Sequence, residues 1–218
     1  MVGKRSGMHI PDGYVDLPIA VAFAVLSVAV LAVAARRSDG AIDGERAPLV
    51  GVVAAGVFAA QMLEWPIPGG TSAHFVGGAL AAVLLGPHLG ALSVATVVTV
   101  QSLLFGDGGV VVIGTNVFNM AIVQVYVGYA VYRVVAPYNR TAGYFAAGWL
   151  GITAAAVTAA IQLGTSSAFA YETVVVLAIM GGGHLLLGLV EGAITAAVAR
   201  SLADARPDLW PDGRGVSA

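Results

Sequence analysis

Residues 17–35 read LPIAVAFAVLSVAVLAVAA, nineteen positions without a charged side chain, closed by Arg36 and Arg37. As a helix rising 1.5 Å per residue, the run covers about 28 Å, close to the ~30 Å hydrocarbon core of a bilayer. Six more apolar runs follow, at 48–63, 72–85, 90–105, 110–135, 144–163 and 173–202. The third and fourth are short, and Gly86-Pro87-His88 between them marks a tight turn. No sustained period-two alternation supports barrel strands, and the Ala, Leu and Gly content suits closely packed helices. The expected fold is therefore all-α, a polytopic membrane bundle of about seven transmembrane helices.

Composition points the same way. Hydrophobic residues make up 58% of the 218 positions and charged residues 10%, with a mean hydropathy of +0.88. Soluble domains carry roughly 25% charged residues, so this chain lacks the polar groups to cover a globular surface. Its length suits one bundle without an added nucleotide-binding domain. A formal net charge of -2 and the lack of a basic run give no footing for nucleic acid. Without cysteine there are no disulfides and no thiolate ligands or nucleophiles, so any metal must be held by nitrogen or oxygen. No Walker motif, His-Glu-x-x-His or nucleophile elbow occurs, which argues against a self-contained ATPase or hydrolase. The start does not read as a cleaved signal peptide: Pro11, Asp12, Gly13 and Asp16 precede the first apolar run, and no small-residue cleavage site precedes Arg36.

Loop charges orient the bundle. With seven spans, Arg36, Arg37 and Arg46, then Arg133 and Arg140, then Arg200, Arg206 and Arg214 all fall on one side. The opposite loops hold Glu64, His74, Asp107 and Glu172 and no Lys or Arg. The positive-inside rule places the carboxyl end in the cytoplasm and the amino end outside. Only Lys4 and Arg5 break the partition.

The outward loops collect the polar groups: Met8 to Gly13, Glu64 to His74, and Phe105 to Gly109. Pro and Gly at this density give irregular backbone, which persists at membrane depth only where protein buries it or where it lines a cavity. His9 and His74 on one face are candidate nitrogen ligands for nickel, cobalt, copper or zinc; a surface or capping histidine is the competing reading. His184 and Glu191, seven apart, share a helical face, with His184 near mid-bilayer and Glu191 toward the cytoplasm. Either they belong to a pathway, or His184 is a buried ring bonded to Gln101, Gln124 or Gln162. Asn116 and Asn119 suit interhelical hydrogen bonds. Ala20, Ala24 and Ser27 form a ridge of small residues on the first span.

In order along the chain, the blocks Met8-His9-Ile10-Pro11-Asp12-Gly13-Tyr14, Gly70-Thr71-Ser72-Ala73-His74, Leu84-Leu85-Gly86-Pro87, Leu104-Phe105-Gly106-Asp107-Gly108-Gly109, Gly114-Thr115-Asn116-Val117-Phe118-Asn119 and Glu191-Gly192-Ala193 resemble the CbiM/NikM family. These are the metal-binding S components of energy-coupling-factor importers for cobalt and nickel. The resemblance spans residues 8 to about 202. It implies a transport subunit, not an enzyme, with no prosthetic group, that captures Ni(II) or Co(II) at the cell membrane. The implied partners are a transmembrane coupling (T) subunit, ATPase subunits and a small companion membrane protein. The implied ligands are Met8, His9 and His74, with Asp107, Asn116, His184 and Glu191 left as supporting or structural groups. A free α-amine, the next amide nitrogen and the histidine ring close consecutive chelate rings, and a second imidazole completes a tetragonal nitrogen set.

Residues 1–7 depart from that pattern, because they leave Met8 without a free amine. A start at Met8 is the expectation, since it also removes Lys4 and Arg5. The expected organisation is an extension at 1–7, a seven-helix membrane domain at 8–202 and a cytoplasmic tail at 203–218. A self-sufficient metal permease and a structural subunit with incidental histidines remain the alternatives.

Overall fold

The computed structural model describes residues 9–39, 46–67 and 71–206. The expected extension at 1–7, the proposed ligand Met8 and all of the tail beyond Arg206 lie outside them. Each apolar run contributes a helix: α1 (Leu17–Arg37), α2 (Arg46–Gln61), α3 (Gly78–Leu85), α4 (Pro87–Phe105), α5 (Ile113–Val135), α6 (Arg140–Gly164) and α7 (Thr173–Ala205). The last helix runs past the expected boundary at 202. Five of the seven, α1 and α4 to α7, are long and apolar enough to cross a membrane, while the apolar part of α2 is shorter.

Local sequence explains the ends. Pro18 sits in the first turn of α1, where its missing N–H is no loss, and Arg36 and Arg37 occupy the last turn, beside the negative end of the helix dipole. Asn139 caps α6 by accepting from the Ala142 amide at 2.9 Å. Pro87 opens α4 directly after Gly86, whose φ of 82° only glycine adopts readily.

The third run divides its residues between two elements. Its first residues belong to a hairpin in which β1 (Glu64–Ile67) pairs antiparallel with β2 (Thr71–His74), Glu64 opposite His74. The rest form α3, whose eight residues are all buried. At about 12 Å this helix is too short to cross alone. It is apolar because it lies inside the bundle, in contact with α2, α4, α5, α6 and α7.

The bundle turns polar groups inward and apolar ones outward. Gln61, Gln101, Gln124, Gln162, Asn116, Asn119, His184 and Glu191 are buried, whereas Val25, Val28, Leu104, Val174 and Leu186 are each more than half exposed. That inversion fits lipid, where exposed Leu and Val incur no penalty. The small-residue ridge of α1 is used within the molecule. The Ser27 hydroxyl donates to the Gly114 carbonyl at 2.7 Å, and a Cβ at Gly114 would collide with Ala24. Asn119 and Gln162 exchange two hydrogen bonds, at 2.7 and 3.0 Å, joining α5 to α6 as an interhelical pair.

Candidate functional site

The segment 9–16 lies across one end of the bundle, tied down by side chains from distant parts of the sequence. Asn116 of α5 treats Ile10 as a strand partner would. Its Oδ1 accepts from the Ile10 amide at 2.8 Å and its Nδ2 donates to the Ile10 carbonyl at 3.0 Å. The Gly109 amide also donates to that carbonyl, at 3.0 Å. The Asp12 carboxylate accepts from the amides of Val110, Val111 and Val112, at 3.1, 2.9 and 3.3 Å, and so occupies the positive end of α5. Asp16 makes no cap for its own helix. It accepts instead from the Ser167 amide and hydroxyl, at 2.7 and 2.9 Å, bonds that hold its carboxyl below the usual value.

These ties bring His9 onto His74, which ends β2. The rings stack with centroids 4.9 Å apart and planes 13° from parallel. Both are almost fully buried, at 1% and 2% exposure. Gly108, at a φ of 89°, passes so close that a Cβ there would sit 2.9 Å from the Cβ of His9. This close approach is why position 108 is a glycine. Asp107 reaches in beside it, with Oδ1 3.2 Å from His9 Nδ1. Burial acts to raise the Asp107 carboxyl, but the adjacent His9 ring, with a smaller contribution from His74, outweighs it and holds the group below its ordinary value.

Hydrogen-bond accounting singles out the ring nitrogens. His74 Nδ1–H donates to the Phe75 carbonyl at 2.9 Å, which fixes the tautomer and leaves the Nε2 lone pair available. That Nε2 has no hydrogen-bond partner, nor has either ring nitrogen of His9, since the Asp107 contact falls at ion-pair distance without hydrogen-bond alignment. Asp107 Oδ2 is likewise unpartnered. Buried polar atoms are rarely left this way, and four of them meet here. Burial and then the neighbouring His9 press the His74 ring down to a pKa of about 3, so it is neutral near pH 7.

The donors are gathered without converging. Among the described residues, no three His, Cys, Asp or Glu groups stand in metal-holding geometry.

The His184 Nδ1–H donates to the Met180 carbonyl at 2.8 Å within its own helix. Gln162 is taken by Asn119, and Gln124 by Gly78 and Glu191. Glu191, read from the sequence as lying near the cytoplasmic side, has its carboxylate on the Val76–Gly77 turn just after His74. Gln61, Gln124, Asp12 and Asp16 were overlooked as anchors, although a glutamine inside an apolar run is a signal in itself.

A family model described as the cobalt uptake substrate-specific transmembrane region matches residues 9–209. A chain from Archaeoglobus fulgidus, provisionally named a fused nickel transport protein, is 58% identical over 202 residues, covering 93% of this chain and 68% of that one. A cobalt transport protein of Sorangium cellulosum is 32% identical over 216 residues, covering 93% and 94%. A crystal structure described as a truncated transition metal transporter superposes with a TM-score of 0.86 at 36% identity, covering 91% of this chain and 99% of that one.

Proposed function

The chain belongs to the CbiM family of cobalt-uptake substrate-specific transmembrane proteins, a multi-pass cobalt/nickel transport component, and from that premise we propose that it captures Ni(II) or Co(II) from outside the cell between His9 and His74. The observation that carries this reading is the meeting of four buried atoms that have no hydrogen-bond partner: both ring nitrogens of His9, of which Nδ1 has only its ion-pair contact with Asp107, His74 Nε2 and Asp107 Oδ2. A divalent cation is the occupant whose charge and ligand preference match imidazole nitrogens beside a carboxylate. Met8 supplies the remaining donors, through its amine when the chain starts there and through the peptide nitrogen that follows. Asp107 stands beside His9 to orient its ring and balance the charge of the arriving ion.

The amino end and the capture face lie outside and the carboxyl end in the cytoplasm, following the basic residues. Delivery inward depends on a coupling subunit, ATPase subunits and a small companion membrane protein, since this chain carries no nucleotide-binding motif. The self-sufficient permease loses its main support, because the Glu191 carboxylate is spent on three hydrogen bonds and does not line an ion path as a free charge. Titrating the purified protein with NiCl2 and CoCl2 tests the capture reading. His74→Ala should bind at least ten-fold more weakly than the parent; equal affinity would rule out the proposed ligand set.

A further inference from the structure

His74 is followed at once by a turn that has no secondary structure to hold it. Residues 75–77 lie between the end of β2 and the start of α3, and Gly77 turns with a φ of 74°. The polar atoms of this turn are taken by side chains from three helices. Gln61 of α2 donates to the Val76 carbonyl at 2.7 Å. Glu191 of α7 accepts from the Val76 amide at 3.0 Å on one oxygen and the Gly77 amide at 2.9 Å on the other. Gln124 of α5 donates to Glu191 at 2.6 Å and accepts from the Gly78 amide at 3.2 Å. Three successive amides thus end on one carboxylate and one carboxamide. Glu191 is 3% exposed, and both its oxygens are occupied.

Packing and hydrogen bonds share this work. Val76 is fully buried in the core, while a cavity of about 290 Å³ borders His74, Phe75 and Glu191 together with Ile152, Leu187 and Ile194. On the Phe75 flank packing is incomplete, and there the hydrogen bonds made with Glu191 and Gln61 add to what holds the turn. Charge-assisted bonds from backbone amides to a buried carboxylate are among the strongest the protein can make. The Phe75 carbonyl that fixes the His74 ring belongs to the residue just before the clamped pair, so a shift of the turn carries the ring with it.

We propose that Glu191 is a positioning residue for metal capture: by gripping the Val76–Gly77 turn it sets where His74 Nε2 stands relative to His9. The inference rests on the capture reading above and extends it to a residue on the last span, more than a hundred positions from the ring it positions. Glu191 does not touch the ion. Its two oxygens face donors, so a carboxamide in its place sets an NH2 group against one backbone N–H and loses half the grip.

The test compares Glu191→Gln with the parent, both purified full-length in detergent without metal and titrated with NiCl2. Three readings are taken: affinity, the visible ligand-field band at saturation, and thermal stability of the metal-free protein. The expected result is binding about 10- to 100-fold weaker, with a displaced band at saturation. Unchanged affinity overturns the proposal. So does weaker binding with an unchanged band, because a residue that only holds the bundle together leaves the bound geometry as it was. If Glu191→Gln does not fold, Glu191→Asp serves in its place under the same criteria, since it keeps both acceptors but sets them back from the turn. A parent that binds no nickel overturns the capture reading, and this inference with it; a parent that binds and a variant indistinguishable from it overturns this inference alone.

Discussion

Removing the Asn116 side chain should loosen metal capture although Asn116 is not a ligand. In Asn116→Ala the Ile10 amide loses its acceptor, while the Ile10 carbonyl keeps the bond from Gly109. Ile10 is 3% exposed, so water does not replace the missing partner. An orphaned buried donor costs about 1–3 kcal/mol. That cost falls on the equilibrium between the docked and released forms of the segment carrying His9. At ~1.4 kcal/mol per decade, nickel affinity should fall by about 5- to 150-fold. Asn119→Ala supplies the control. It breaks an equally buried pair with Gln162 and should lower thermal stability comparably while leaving the segment docked. Isothermal titration with NiCl2 measures the affinities, and hydrogen exchange at residues 9–12 reports docking. If Asn116→Ala binds as tightly as the parent, or if Asn119→Ala weakens binding equally, the assignment of Asn116 to the His9 segment is wrong.

Two further expectations concern stability. The folded His74 ring has a pKa of about 3 against an ordinary 6.5, so between those values the unfolded chain takes up a proton that the folded protein refuses. The stability this gives is full above pH 6.5 and is lost as pH falls toward 3, with a slope of at most ~1.4 kcal/mol per pH unit; melting of the metal-free protein across that window should show a shallower acid-side decline in His74→Gln. Gly77→Ala should destabilise by more than ~2 kcal/mol, combining a left-handed conformation that is unfavourable for alanine with a Cβ 2.8 Å from a Phe75 ring carbon and 2.9 Å from a Val57 methyl. A melting temperature within a degree of the parent's would show that the turn relaxes freely.

Sequence alone was enough for the membrane class and for where most of the helices lie, though not for the hairpin at the start of the third run, because both depend on quantities local to each run: the absence of charge, a length set against bilayer thickness, and Pro or Gly at the ends. The family blocks pointed in the same way to His9, His74, Asp107 and Asn116. Tertiary structure decided which apolar runs face lipid. The eight residues of α3 are as apolar as those of α1, yet they are surrounded by other helices, and apolarity does not distinguish a protein interior from a hydrocarbon one. It also decided the partners of every buried polar group. Gln124 bonds to Glu191 and to the Gly78 amide, and Glu191, on the last helix, grips the turn behind His74. A hydrogen bond depends on where two atoms meet in space, and for residues 76 and 191 that meeting is set by how long α7 runs and how deep the 75–77 segment enters the bundle.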